Sequence, residues 1–285
     1  MHHYRVFSLL VRSELPLLLP EQPEPSREPD VEVRRGHVDL SGGGPGLQVD
    51  LAGVRARISG DSTVVDAGDR EAPMVSHVVL KRCLPALLFE RGATILHAGA
   101  VDVDGHGVAF AGTQDAGKSS LVAAMCEHGA RFLTDDILAV DNGRDRRRAL
   151  PSFPRISLTP ETRNALGLDG RQVASMDGTP FEPWFEVEEW FDPDPVTVDV
   201  VYLLEEQGGV DSPAIRRIDG RAAMERLAGH SVRSGGLDLA EPLGRQFRQC
   251  AELCQSVPVK VLERPDGFET IPAVVGRVEA DLRAA

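Results

Sequence analysis

The run Gly112-Thr113-Gln114-Asp115-Ala116-Gly117-Lys118-Ser119 constrains this chain more than any other stretch. It spells G-x-x-x-x-G-K-S, a pattern that works only between a buried strand and a helix opening inside it. The flanks meet both demands. Gly107 to Ala111 is a short apolar run, while Leu121, Val122, Met125 and Cys126 recur at helical spacing before Gly129 supplies a stop. Such a loop gathers backbone N–H groups around phosphate oxygens at the favourable end of a helix dipole. Gly112 and Gly117 permit its tight path, and Thr113, Gln114, Asp115, Ala116 and Ser120 complete the expected nucleotide cradle. Lys118 is expected to reach the β- and γ-phosphates and to lie exposed until nucleotide arrives. Ser119 is expected to ligate Mg²⁺. The competing reading is a structural turn. Lysine is scarce, at Lys81, Lys118 and Lys260 only, yet one stands where phosphate chemistry needs it.

A second element follows at Asp135-Asp136. "ARFLTDDILAVD" reads as a strand carrying both carboxylates at its end, where a parallel α/β sheet offers groups to a nucleotide. One carboxylate can hold the metal, and its neighbour can accept the proton of an attacking hydroxyl. Neighbours on a strand end point to opposite sides, so the two roles are interchangeable on the sequence alone. A solvated turn is the alternative. His97, in the apolar "TILHAGAV", would by itself read as a core histidine.

The 285 residues suffice for one large or two modest domains, and 42% hydrophobic with 26% charged residues describes a globular chain. A net charge of −13 without a basic stripe argues against nucleic acid or an anionic membrane as partner. No apolar run reads as long enough to span a bilayer. The opening "MHHYRVFSLLVRSELPLLLP" is too interrupted by charge for a secretory signal, so a cytoplasmic home is expected. Cys83, Cys126, Cys250 and Cys254 form no disulfide framework, and Cys250 with Cys254 reads as helix packing rather than metal binding.

Residues 1–70 read as a small β-rich N-terminal domain, concerned with the acceptor rather than with ATP. Val6 to Val11 reads as a strand, 41–46 as a glycine-rich loop, and "LQVDLAGVRARISG" as a hairpin about Ala52-Gly53. Asp61 to Pro73 reads as a polar linker to residues 71–285. Residues 74–91 read as a helix that Pro85 kinks or divides. "ATILHAGAVDVDGHGVAFAG" reads as one hairpin, "RRRALPSFPRISLTP" as extended, and 162–166 as a short helix. "TVDVVYLLEE" and "VPVKVLERP" read as strands; 220–229, 242–255 and the C-terminal segment read as helices.

The segment from Leu96 to Val140 resembles the catalytic core of the HPr kinase/phosphorylase family, with its histidine strand, hairpin, phosphate loop and Asp-Asp strand in that order. It is more distantly similar to phosphoenolpyruvate carboxykinases. The wider pattern, including "YRVFSLLVRSELPLLLP", "PSFPRISL" and "FRQCAELCQSVPVKVLERP", is similar to HPr-kinase-related lasso peptide kinases. The resemblance implies an α/β P-loop kinase core and transfer of the ATP γ-phosphate to a hydroxyl. The acceptor it implies is a serine of a biosynthetic precursor peptide. Small-molecule acceptors and a non-catalytic nucleotide-binding protein are the alternatives, and a homo-oligomer is left open. It further implies Asp135 as general base, a metal site at Ser119 and one aspartate (Asp136, if Asp135 is the base), and His97 beside metal and phosphates. Other residues read two ways. Arg155 is a phosphate contact or a structural ion pair; Gly143 to Arg148 is a substrate contact or a solvated hairpin; His230 and Arg233 are an active-site rim or an ordinary loop. "WFEVEEWF" is a lid or docking surface, or a loop packed on its own domain, and His106 is a hairpin tip.

Overall fold

The computed structural model describes residues 1–41, 46–143, 146–168, 173–174, 176, 183–206, 211–230 and 242–284. The centre of the glycine-rich loop (42–45), Arg144, residues 181–182 and Arg233 lie outside them.

A six-stranded sheet comes first: β1 (His2–Val6), β2 (Leu9–Ser13), β3 (Val31–Arg35), β4 (Leu47–Leu51), β5 (Val54–Ser59) and β6 (Ser62–Asp66), in the order β1-β2-β3-β6-β5-β4. Val54, Ala56 and Ile58 turn inward while their neighbours face out, the period of two that buries one face of a sheet. The β4–β5 hairpin turns on Ala52 and Gly53, with φ of 51° and 83°, as a two-residue turn matched to strand twist requires. The expected linker from Asp61 contributes β6 instead. Thr63 and Val65 are buried there, but Ser, Thr and Asp in the same stretch hide the apolar alternation.

This sheet packs on a continuous helix built from α1 (Ala72–Val78), a π-helical turn (Val79–Cys83) and α2 (Leu84–Glu90). Pro85 accounts for the π turn. It has no N–H for the carbonyl of Lys81, and widening the helix there relieves its ring. Contrary to the sequence expectation, Ala72–Glu90 is long and apolar enough to cross a bilayer. Its Leu80, Leu84 and Leu87 are fully buried in a core with Tyr4, Val31 and Val65, which accounts for its apolar character. Each such leucine contributes roughly 1.5–3 kcal/mol. The same core continues into Ile95, Ile137, Leu150 and Trp184.

The nine-stranded second sheet contains β7 (Thr94–Leu96), β8 (Ala98–Val103), β9 (His106–Ala111), β10 (Arg131–Thr134), β11 (Leu138–Asp141) and β12 (Arg148–Leu150). Two smaller strands, β13 (Arg155–Ser157) and β14 (Val173–Ala174), flank β15 (Trp184–Glu186) in a separate three-stranded sheet. The large sheet is completed by β16 (Val196–Glu206), β17 (Ala214–Arg217) and β18 (Val259–Arg264). It is mixed rather than parallel: β16 runs parallel to β9 and β18, while β8 pairs antiparallel with both β9 and β10. The long hairpin expected from Ala93 divides at His97. β7 pairs with β11, and only β8 and β9 form the hairpin, turning at Asp104-Gly105 with φ of 53° and 89°. The Asp-Asp strand also divides, leaving Asp135 and Asp136 in the bend between β10 and β11.

Helices cover both faces. α3 (Lys118–Glu127) and a C-terminal helix (Ile271–Arg283) pack on the side chains of Phe110, Val200 and Tyr202. On the opposite face, Ala109, Ala111, Val201 and Leu203 meet helices Gly220–Gly229 and Pro242–Ser256. Cys250 and Leu253 pack there, as expected for a packing cysteine. The chain is therefore a layered α/β fold with a β-rich N-terminal portion.

Candidate active site

The loop from Gly112 leaves the end of β9 and enters α3 at Lys118. Asp115 and Gly117 take left-handed φ of 61° and 82°. At Gly117 this favours glycine twice over, since a Cβ would also lie 3.0 Å from Arg264 Nη2. No side chain caps α3, so the first-turn N–H groups have no side-chain acceptor of the capping kind. Lys118 departs from expectation. It is 6% exposed, and its Nζ donates to the carbonyls of Gly112 (3.2 Å) and Thr113 (2.6 Å). Burial lowers its pKa, opposed by the charges of Asp135, Asp136 and Asp115.

Asp135 is buried behind the loop. Ser119 Oγ donates to its Oδ1 at 2.7 Å and the Ser157 backbone N–H to its Oδ2 at 3.2 Å. Burial raises its pKa above the carboxylate range, Asp136 adds to the rise, and Lys81, Ser119 and Ser157 oppose it. Gly99 makes this closeness possible: a Cβ there would stand 2.6 Å from Val122 Cγ2 of α3 and 3.7 Å from Asp135 Oδ1.

Asp136 has the opposite environment. Its φ of 70° turns the chain sharply, and its side chain is 41% exposed. Lys81 Nζ lies 3.1 Å from Oδ2 and His97 Nδ1 lies 3.0 Å from Oδ1. Burial would raise the Asp136 pKa, but Lys81 and His97 together hold it well below the usual range. His97 is also anchored by its N–H, which donates to the His230 carbonyl at 2.7 Å. The His230 pKa is lowered, by burial first and then by the charges of Lys118 and His97.

These groups line one cleft of 1170 Å³. The structure thus brings Gly112, Thr113, Gln114, Asp115, Gly117, Lys118, Ser119 and Ser120 together with His97, Asp135, Asp136 and His230; Ala116 lies within the same loop. Arg155 does not join them; it forms an ion pair with Glu186 at 3.1 Å. "WFEVEEWF" packs inward, with Trp184, Phe185 and Val187 buried. His106 stays at its hairpin tip, 3.1 Å from Asp199.

Sequence reading missed three site residues. Lys81 stood out only by rarity, although a lysine inside an apolar helix demands a partner. Arg82 beside it carried no separate signal. Arg264, at the end of β18, donates through Nε and Nη2 to the Ala116 carbonyl at 3.2 and 2.9 Å, bracing the loop. Among the described residues, no group of three or more His, Cys, Asp or Glu could hold a metal unaided.

No protein-family model and no curated protein matches the chain. Among solved structures it is similar to the HPr(Ser) kinase/phosphatase from Coxiella burnetii, at 12% identity and a TM-score of 0.37, over 67% of this chain and 97% of that one.

Proposed function

We propose that the chain is an ATP-dependent kinase that transfers the γ-phosphate of Mg²⁺-ATP to a hydroxyl group. One observation carries the reading: Ser119 donates to the buried Asp135 at 2.7 Å, beside a loop whose lysine and uncapped helix end share the cleft. Phosphoryl transfer asks chiefly for positioning and charge neutralisation. Lys118 would exchange the carbonyls of Gly112 and Thr113 for phosphate oxygens. A hydroxyl and a carboxylate are hard oxygen donors that suit Mg²⁺, which keeps several waters and takes the rest of its shell from phosphates. Bound there, the metal would neutralise phosphate charge.

The aspartates are assigned in the reverse of the order expected from the sequence. Asp135, facing Ser119, belongs to the metal side. Asp136 belongs to the acceptor side. Asp135 has the raised pKa that a base wants, but it is buried and both its oxygens already accept protein hydrogen bonds. Asp136 is the weaker base yet open to the cleft, and reach ranks before basicity. His97 and Lys81 orient it.

The sequence resemblance to lasso peptide kinases supports a serine of a precursor peptide as acceptor, with small hydroxyl compounds as the second class. Four cysteines in no disulfide fit a cytoplasmic setting. The test is incubation with γ-labelled ATP, Mg²⁺ and a panel of serine peptides and hydroxylated metabolites. Label should pass to an acceptor with the wild-type chain and not with Lys118→Ala. A wild-type chain that neither binds nucleotide nor transfers label contradicts the proposal.

A further inference from the structure

We propose that Arg82 binds an anionic group of the acceptor, so that the compound phosphorylated here carries a carboxylate close to its hydroxyl. The inference rests on the kinase reading for its reaction, but its geometry is independent of the phosphate loop. Lys81 and Arg82 lie in the π turn at Val79–Cys83, and both line the cleft. Lys81 is engaged, with Nζ 3.1 Å from the Asp136 carboxylate and 3.3 Å from the Asp135 carbonyl. Arg82 is not. Its Nε is buried with no hydrogen-bond partner, and no described residue forms an ion pair with its guanidinium.

Other arginines also lack a carboxylate partner among the described residues, but Arg82 does so on the wall of the cleft, whereas many in this chain of net charge −13 are paired. Arginines 12, 27, 34, 91, 131, 148, 155 and 216 all have carboxylate partners. A guanidinium offers a planar fork that a carboxylate fills with two parallel hydrogen bonds. The corner also has an apolar wall: Trp184 lines the cleft and stacks on His77, with centroids 6.5 Å apart and planes inclined by 20°. Burial and the charges of Lys81 and Arg82 push the His77 pKa down to about 3, so this ring stays neutral while Arg82 carries the charge. An acceptor seated with its anion on Arg82 is one residue along the helix from the lysine that holds Asp136. Its hydroxyl then has a route to that aspartate.

The test uses the full chain and two matched pairs of probes: lactate against lactamide, and a short peptide ending in serine, with its terminus free or amidated. Binding is read by ligand-observed NMR, with and without Mg²⁺ and a non-hydrolysable ATP analogue. In at least one pair the acid should bind about tenfold or more tighter than its amide, as one charge-assisted contact implies. Preference in the first pair identifies a free hydroxy acid, and in the second a peptide terminus. Arg82→Gln should abolish the preference, while Arg82→Lys should retain part of it. In the wild-type chain the preferred acid should protect Arg82 from dicarbonyl modification, a readout that needs no variant to fold. No preference in either pair, a preference surviving Arg82→Gln, or modification of Arg82 unaffected by the acid overturns the assignment. Nucleotide binding is followed in the same samples by a fluorescent ATP analogue. Its absence refutes the kinase reading alone, because acid binding is also measured without nucleotide.

Discussion

Replacing Lys81 by Met probes the clamp that holds Asp136. The stem keeps its place in the apolar helix, and only the ammonium 3.1 Å from the carboxylate is lost. Breaking a fully buried ion pair costs about 3–5 kcal/mol, because the remaining charge stays desolvated. Here the Asp136 side chain is 41% exposed and keeps His97, so water shares the burden. The expected loss is therefore about 1–3 kcal/mol, a fall in Tm of about 2–5 °C for a chain of this size. The pH dependence has a definite sign. Lys81 lowers the pKa of both aspartates, so its contribution is present while they are ionised and fades as pH falls through their folded values. The gap between wild type and variant should thus narrow toward acid and widen toward neutrality. Scanning calorimetry of the wild type, Lys81→Met, Asp136→Asn and the double variant closes a thermodynamic cycle. Asparagine tolerates the left-handed backbone at Asp136, so that arm reports charge rather than strain. A coupling of about 1–2 kcal/mol is expected. Additive effects, or a Lys81→Met Tm within about 1 °C of wild type, would refute the clamp.

Asp135→Asn should raise the Mg²⁺ needed for half-maximal rate, whereas Asp136→Asn should cut single-turnover transfer by about 10²–10⁴-fold with little change in nucleotide affinity. The opposite pattern restores the allocation expected from the sequence. Gly117→Ala, at φ 82° and against Arg264, should destabilise the chain by about 1–2 kcal/mol and weaken nucleotide binding; a neutral melt would show that the loop relaxes freely. Burial pushes the thiols of Cys83 and Cys250 up to about 12, so a disulfide reagent at mildly alkaline pH should label them only after denaturation.

The Gly112–Ser120 turn from β9 into α3 was legible because its signal is local: glycines, lysine and serine are nearly contiguous, and their flanks carry a strand-to-helix change of period. The helices and β16 were legible for the same reason. Long-range pairing was not. Nothing in "TILHAGAV" says that the chain leaves one neighbour for another at His97, since that break depends on β11 arriving from forty residues downstream (|i−j| = 39 for the His97–Asp136 contact). β6 escaped notice because the polar Thr63 stands on its buried face and Val64 on the other, which blurs the alternation. Lys81 was invisible as a site residue because its partner is distant in sequence, and a buried lysine declares itself only through that partner. Lys118 was misjudged as exposed because the loop turns its own carbonyls toward the ammonium.

The central claim is that the Gly112–Ser120 loop binds the phosphates of a magnesium nucleotide. Its most direct test is calorimetric titration of the full chain with a non-hydrolysable ATP analogue, with and without Mg²⁺, in the wild type and in Lys118→Ala. The account predicts saturable one-site binding that strengthens with Mg²⁺ and weakens at least about tenfold in the variant, as loss of a charge-assisted contact implies. Equal affinity in the two proteins, or no binding to the wild type, would contradict it.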